Sequence, residues 1–321
     1  MVGETMQVRV NKIAQEAEDI RSYEFVDLEG RELPPFTAGA HLDVHLPGGL
    51  VRQYSLANDP TERHRYVVAV LHEPQGRGGS ADLHSHVRED DTLTISHPLN
   101  NFPLAPDAAK HLLIAGGIGI TPILSMVREL QRRGVDYHLH YCTRSPEKTA
   151  FADLLATPPF DGRVSFHFDG GDPAKGLDVA ALLRPYEIGQ HLHCCGPTGL
   201  MTAVRDAAAH WPSGSVHFEY FAVDPDLAAG SGIDALFEVE IESTGAVHQI
   251  PAEQTILDVL RVAGHDLPSA CEEGICGTCI TEVARGELDH RDMVLDDDER
   301  AAGDLMTICC SRGKGRIVLK L

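Results

Sequence analysis

The segment Cys271-Glu-Glu-Gly-Ile-Cys276-Gly-Thr-Cys279 spaces three thiols as C-x4-C-x2-C, and Cys309 follows after 29 further residues. Among iron–sulfur patterns this is the plant-type [2Fe-2S] spacing. A compact cluster needs one short loop that delivers three sulfurs at once. Gly274 and Gly277 permit the tight bends that bring backbone amides toward sulfide. A structural zinc site is the rival reading. Zinc sites usually join one C-x2-4-C to a second close pair, whereas the second arm here is the adjacent Cys309-Cys310. The expected metal ligands are therefore Cys271, Cys276, Cys279 and Cys309, with Cys310 a buried spectator.

The pattern changes along the rest of the chain. Residues 234–321 open on the alternating run Leu236–Ile241, continue through a helix candidate at Thr255–Ala263 and close on the apolar strand Arg316–Leu319. Upstream, residues 224–233 are small, polar and turn-rich, and read as a linker. Residues 106–223 alternate apolar strands (His111–Ala115, Tyr137–Cys142, Val164–Phe168, Gln190–Cys194) with helical stretches (Pro122–Arg133, Val179–Arg184, Leu200–Ala209). That alternation indicates an α/β domain with a mainly parallel sheet. Residues 1–105 hold short runs such as Met6–Val10, His41–Leu46 and Tyr66–Val70, punctuated by Gly and Pro. They suggest an antiparallel barrel or sandwich.

Composition narrows the function. The chain has 321 residues, 43% hydrophobic and 23% charged, which excludes disorder as the main state. It has no run of 18 apolar residues and no apolar leader, so neither a membrane span nor a secretory signal is expected. A cytoplasmic, reducing location follows, where clustered cysteines hold metal or do redox chemistry. Lys plus Arg total 27 against 48 for Asp plus Glu, a net charge of −21. Such a chain repels a phosphate backbone, so nucleic acid is not an expected partner. A basic protein partner and a mere solubility charge both remain open. No H-E-x-x-H or G-x-S-x-G pattern occurs; His84 and His86 read as surface or satisfied polar residues in the loop after Ser80.

Two further motif groups lie upstream. Arg52-Gln-Tyr54-Ser55-Leu resembles the RxYS motif of ferredoxin-reductase-type flavoproteins. An aromatic ring can pack on a flavin, a serine hydroxyl can bond N5, and arginine can neutralise phosphate. An ordinary strand with Tyr54 in the core is the alternative. Gly76-Arg77-Gly78-Gly79-Ser80 is suited to hold phosphate at the start of a helix over Ala81–Val87, or is a flexible hairpin loop. Leu112–Ala115 runs into Gly116-Gly117-Ile-Gly119-Ile-Thr121-Pro122, a strand, glycine turn and helix start able to face a pyrophosphate.

The chain as a whole resembles the reductase components of class IA oxygenase systems, the phthalate dioxygenase reductase and vanillate demethylase reductase family. The signature CEEGICGTC and the tail Cys309-Cys310-Ser311-Arg312 are similar to the plant-type, β-grasp ferredoxin domains of these reductases. GRGGS is similar to the segment that binds FMN phosphate in the family, and GGIGITP to its nicotinamide motif. The resemblance implies an FMN-binding antiparallel β-barrel (1–105), an NAD-binding α/β domain (106–223), the linker and a [2Fe-2S] ferredoxin domain (234–321). It implies that Cys195 of Cys195-Gly196-Pro197 shapes hydride transfer with Ser55, and that Phe221 covers the flavin face. A structural cysteine and a core aromatic are the plain alternatives. Thr143 and Arg144 fall where the adenosine ribose lies. Arg144 and Ser145 would also suit the 2′-phosphate of NADPH, but CTRSPEK is similar to NADH-using members. The implied activity is an NADH-dependent reductase passing electrons through FMN and [2Fe-2S] to a terminal oxygenase, Rieske-type or P450. The ferredoxin domain, with seventeen acidic and eight basic residues over 236–321, would offer an acidic docking face that includes Asp296–Glu299. A monomer is expected. An iron–sulfur carrier or sensor without enzymatic activity, and a flavin reductase with a zinc-bound tail, are the alternatives from other classes.

Overall fold

The computed structural model describes residues 4–221, 235–269, 271–295 and 297–321. They form two compact units, divided between Phe221 and Ala222. The expected linker lies outside the described residues, as does Asp296 of the acidic run. Among the described residues no helix is long and apolar enough to cross a membrane.

The first unit begins with β1 (Thr5–Ala17), β2 (Ile20–Asp27), β3 (His41–His45), β4 (Val51–Ser55), β5 (Tyr66–Leu71), α1 (Gly79–His86) and β6 (Thr92–Ser96). The strands pair antiparallel in the order β4-β3-β6-β1-β2-β5. The edges meet through a bridge between Leu56 and Val68, with the Ala57 amide donating to Val67 O at 2.8 Å. The sheet is thus a barrel rather than a sandwich. Alternate residues such as Val8, Val10, Leu42, Val44 and Leu56 fill its core, as the period-two runs require. His84 and His86 are on α1 rather than in a loop: the His84 ring bonds Val70 O at 2.9 Å, and His86 pairs with Asp82 one turn back at 2.6 Å.

The unit continues with β7 (Lys110–Gly116), α2 (Ile120–Arg133), β8 (Asp136–Thr143), α3 (Ala152–Leu155), β9 (Val164–Phe168), α4 (Val179–Leu183), β10 (Gln190–Cys195), α5 (Thr198–Ala207) and β11 (Val216–Glu219). All five strands are parallel, in the order β11-β10-β7-β8-β9. β7 comes first in sequence but lies in the middle, so the chain progresses outward in one direction to β9 and then in the other through β10 to β11. Open parallel sheets bind ligands at such a switch point, outside the carboxyl ends of the strands. α2 buries Ile120, Ile123, Leu124, Val127 and Leu130 along one stripe and stops at left-handed Gly134 (φ 66°).

The second unit holds β12 (Phe237–Ile241), β13 (Val247–Ile250), α6 (Ile256–Val262), β14 (Ile280–Asp289), α7 (Asp297–Ala302), β15 (Leu305–Thr307) and β16 (Arg312–Leu319). Its sheet is mixed, in the order β13-β12-β16-β14-β15, with β12 and β16 parallel. α6 starts with a capping box in which Thr255 and Asp258 satisfy each other's amides. Its Ile256, Leu257 and Leu260 pack into the core with Val239, Ile241 and Ile317. Arg312 is 7% exposed. Its guanidinium donates to the carbonyls of Ala235, Pro251 and Gln254 and stacks over Phe237. The β-grasp sheet is therefore tied to its first strand by the arginine of the C-C-S-R tail.

Candidate functional site

The nucleotide-type loops meet at the switch point. β7 delivers Gly116, Gly117 and Gly119, and β10 delivers Cys195, Gly196 and Pro197. The two loops are in backbone contact. A Cβ on Gly116 would stand 2.6 Å from the Pro197 ring, and one on Gly119 would stand 2.2 Å from the Cys195 carbonyl oxygen. Gly117 has φ 52°. These glycines are required by close approach and turning, which leaves the N-terminus of α2 uncovered by side chains. Thr121 is buried and its hydroxyl donates to Ile118 O at 3.1 Å; Pro122 is buried in the first turn.

At the end of β8, Thr143 is buried, its hydroxyl shared with Thr149 (2.7 Å) and Ser145 O (3.3 Å). Thr143 shapes this loop with its side chain, while Arg144 is exposed beside it. The Asp169 amide bonds Thr143 O, which brings the turn after β9 to the same edge.

Ser55 ends β4 and is 4% exposed. Its hydroxyl donates to Glu219 Oε2 at 3.1 Å. Glu219 ends β11 and is in register with Cys195 on β10. The last strand of the parallel sheet thus carries a carboxylate onto the barrel's serine, next to the thiol. Burial raises the Glu219 carboxyl to about 8, against the lowering effect of the Ser55 bond. Burial also pushes the Cys195 thiol far up, and the Glu219 charge adds to this. Cys195 is therefore a thiol at neutral pH, with no nucleophile character. Glu219 was not singled out from the sequence. Its signal was an acidic residue within an aromatic strand end, Phe218-Glu219-Tyr220-Phe221, which hydrophobic patterning disfavours. Phe221, after the strand, is 39% exposed.

Arg52 and the glycine-rich segment also come together. The Arg52 guanidinium donates to Arg77 O at 2.9 Å and lies across the start of α1. A Cβ on Gly79 would meet the Arg52 side chain at 2.5 Å. Gly78 precedes the helix in the left-handed conformation with no side-chain cap, so no oxygen from the cap competes for the first amides of α1. Ser80 is turned back, its hydroxyl accepting from the Glu73 amide at 3.0 Å. Gly76 and Arg77 are exposed. Tyr54 packs in part against the barrel core, and burial raises its phenol. Arg52 and Ser55 are separated by three strand steps, roughly 10 Å. An arginine at the start of a helix whose cap offers no side-chain oxygen fits a phosphate.

In the second unit the thiols form two pairs. Cys271 hydrogen-bonds Cys276, which raises Cys271 and lowers Cys276 to about 6. Cys309 hydrogen-bonds Cys279 and Cys310, which raises Cys309. Cys276, Cys279 and Cys309 are buried, and Cys271 is half-buried. Gly274 (φ 76°) and Gly277 (φ 73°) turn the loop that carries three of them. A Cβ at Gly274 would strike Cys310 Sγ at 2.4 Å and the Asp292 backbone at 3.0 Å. Two thiol pairs on one tight loop and its neighbour fit two iron atoms, one pair to each. Cys310, expected to be buried, is half-buried and bonds the Thr307 hydroxyl at 3.2 Å.

A barrel with an anion-ready arginine, a parallel sheet with a glycine switch point and a four-thiol β-grasp sheet together define a modular iron–sulfur reductase. Comparison with known proteins agrees. Residues 239–314 match the 2Fe-2S iron-sulfur cluster binding domain. Vanillate O-demethylase oxidoreductase of Pseudomonas sp. (strain HR199 / DSM 7063) is 49% identical over 311 residues, covering 96% of this chain and 97% of that one. The solved phthalate dioxygenase reductase, described as a modular structure for electron transfer from pyridine nucleotides to [2Fe-2S], is 44% identical. Its TM-score is 0.74, with 99% and 98% of the two chains covered. An intact type IV self-sufficient cytochrome P450 monooxygenase is 38% identical with TM-score 0.88, over all of this chain and 42% of that one. The chain belongs to the family of phthalate dioxygenase reductase and vanillate O-demethylase oxidoreductase, the reductase components of oxygenase systems. It is an oxidoreductase with an iron–sulfur ferredoxin domain.

Proposed function

We propose that this chain takes electrons from NADH through FMN and its [2Fe-2S] cluster to a terminal Rieske-type oxygenase. Bound FMN and the cluster supply the redox chemistry: two electrons enter as a hydride and leave singly. The protein's part is to bind, orient and exclude water. Arg52, with Gly76, Arg77, Gly78, Gly79 and Ser80, holds the FMN phosphate, and Tyr54 and Phe221 flank the ring. Gly116, Gly117, Gly119, Thr121 and Pro122 receive the NADH pyrophosphate, Thr143 and Arg144 border its ribose, and Gly196 and Pro197 shape the nicotinamide end. Ser55 and Cys195 set the hydride-transfer geometry, and Glu219 holds the Ser55 hydroxyl and takes up or gives a proton there. Cys271, Cys276, Cys279 and Cys309 ligate the cluster. The modules divide as residues 1–105, 106–223, a linker at 224–233, and 234–321.

The observation that carries this reading is the Ser55–Glu219 hydrogen bond of 3.1 Å. It joins the barrel's flavin motif to the strand end in register with Cys195, where hydride donor and acceptor must meet. The partner is reached through the acidic ferredoxin domain, whose sequence from 236 to 321 nets −9. The chain works as a cytoplasmic monomer. A P450 is the second candidate partner, favoured by the 38% identity to the self-sufficient P450 monooxygenase.

The test is direct. Purified protein is assayed for FMN against FAD and for iron and sulfide. Its reduction by NADH and NADPH is then followed, with a Rieske oxygenase or a P450 as acceptor at rising salt. FMN, two irons, a preference for NADH, and salt-weakened transfer to the Rieske protein are expected. FAD, zinc, or salt-insensitive transfer to a haem protein alone would overturn the corresponding part.

A further inference from the structure

The tip of a barrel hairpin rests on the loop that follows β8. Only Glu18 and Asp19 join β1 to β2, with Ala17 paired to Ile20 and Asp19 in the left-handed conformation (φ 63°). So short a connection fixes the backbone of both residues. The Asp19 carbonyl accepts from the His72 amide at 2.7 Å, and the Glu18 amide donates to Glu147 O at 2.8 Å. Lys148, next in that loop, places its ammonium 3.4 Å from Glu18 Oε2 and 3.5 Å from Asp19 Oδ2.

Lys148 belongs to the turn that borders the proposed ribose site. Its amide donates to Ser145 O at 3.1 Å. The Thr149 hydroxyl reaches the same carbonyl at 2.9 Å and shares a bond with Thr143. A coenzyme presents to such a turn either a 2′-hydroxyl or a 2′-phosphate carrying nearly two charges. Three groups here suit that phosphate: the Arg144 guanidinium, the Ser145 hydroxyl and the Lys148 ammonium. The Ser145 hydroxyl bonds the Glu147 carboxylate and holds it below its ordinary range. The Lys148 ammonium faces two carboxylates. Arg144 is the exposed cation that remains. Asp169 stands across the turn, its amide on Thr143 O and its carboxylate on the Gly171 amide at 2.7 Å. The carboxylates of Glu18, Asp19, Glu147 and Asp169 thus outnumber the cations of Arg144 and Lys148.

We propose that Glu18 and Asp19, residues of the barrel, set the coenzyme preference of the neighbouring α/β domain by holding the Lys148 ammonium away from the 2′ position of the ribose. This deepens the function proposed above and rests on its NADH site. A free lysine on its flexible stem pairs with a phosphate as a point charge. Lys148 must give up both carboxylates to do so, and the bared carboxylates then repel the phosphate. A coenzyme with a 2′-hydroxyl needs no such exchange. All three side chains are partly exposed, so each ion pair contributes little to stability. Preference, however, is a difference between two coenzymes, and repulsion of the wrong one adds to it.

Two ligands that differ only in the 2′-phosphate provide the test. Binding of 5′-AMP and of 2′,5′-ADP to the holoprotein is measured by calorimetry, and kcat/KM is measured with NADH and NADPH. Glu18→Gln combined with Asp19→Asn keeps the shape of both side chains, and the Glu18 amide keeps its bond to Glu147 O. This double variant is expected to raise the preference for 2′,5′-ADP over 5′-AMP, and for NADPH over NADH, about tenfold, the order that two exposed pairs allow. The gain is expected to shrink in high salt, and NADH turnover to stay unchanged. Adding Lys148→Met to the double variant is expected to remove most of the gain. An unchanged preference in the double variant would overturn the proposal, as would a gain of the same size after Lys148→Met. A wild type that binds neither 5′-AMP nor NADH, or that prefers NADPH, would instead remove the reading beneath and the proposal with it.

Discussion

The Ser55 hydroxyl reaches Glu219 across 164 positions of sequence, at 3.1 Å. The bond links the last residue of a barrel strand to the last residue of the parallel sheet. It is also where a carboxyl is kept out of water, with consequences that can be measured.

Glu219 titrates near 8 in the folded chain because burial disfavours its charge. Between about pH 4.5 and 8 the folded state holds a proton that the unfolded state has lost. Stability from this site therefore falls as pH rises through that window. Glu219→Gln, which still accepts from Ser55, removes the penalty. In the cofactor-free protein it should match wild type near pH 5 and be more stable by about 1–2 kcal/mol at pH 8. Urea unfolding at the two pH values checks this. An advantage that does not grow with pH would contradict it.

Gly79 is fixed by Arg52, whose side chain occupies the place of a Cβ at 2.5 Å. Gly79→Ala should push the guanidinium off the start of α1 while the barrel stays folded. FMN affinity should fall about tenfold, the order expected for one charge-assisted contact. Fluorescence titration reads the change, and unaltered affinity would place the phosphate elsewhere.

The parallel sheet carries histidines that burial holds neutral. His111, His140 and His217 are lowered to about 4, His138 and His167 are lowered, and His193 is lowered well below its ordinary value. The unfolded chain protonates these rings near 6.5, so stability is whole above that pH and lost as pH falls toward 4. The urea midpoint should drop between pH 7 and 5. His193→Phe, which keeps the packing on Phe102, should make the decline shallower. A midpoint independent of pH over this range would contradict the assignment.

The two C-terminal cysteines should behave differently. Cys309→Ser should cost most of the bound iron, because Cys309 pairs with Cys279. Cys310→Ser should retain two irons per chain, because the Thr307 hydroxyl can keep its bond at that position. Iron and sulfide assays after anaerobic reconstitution decide this, and equal loss in both variants would reopen the fourth ligand.

Local motifs made much of this legible in the sequence. Cysteine spacing and glycine turns are short-range signals, because a loop that must bend or approach a backbone leaves few residue choices. Alternation in Met6–Val10 and His41–Leu46 likewise announced strands. What escaped was long-range. Closure of the barrel depends on Leu56 meeting Val68, which no local pattern separates from a sandwich. Glu219 became a site residue only through the register of β11 beside β10. α1 starts at Gly79, two residues before the expected Ala81, and takes in His84 and His86, which read as loop residues; packing of Leu83 and the His84–Val70 bond hold the helix in place.

Anaerobic reduction of the purified chain with NADH, followed together by visible absorption and low-temperature EPR, decides whether electrons pass from flavin to cluster. Flavin bleaching is expected to be followed by the signal of a reduced [2Fe-2S] cluster, and Ser55→Ala to slow the first step without altering the cluster's spectrum. Bleaching with no cluster signal, or a cluster reduced by NADH in flavin-free protein, would contradict it.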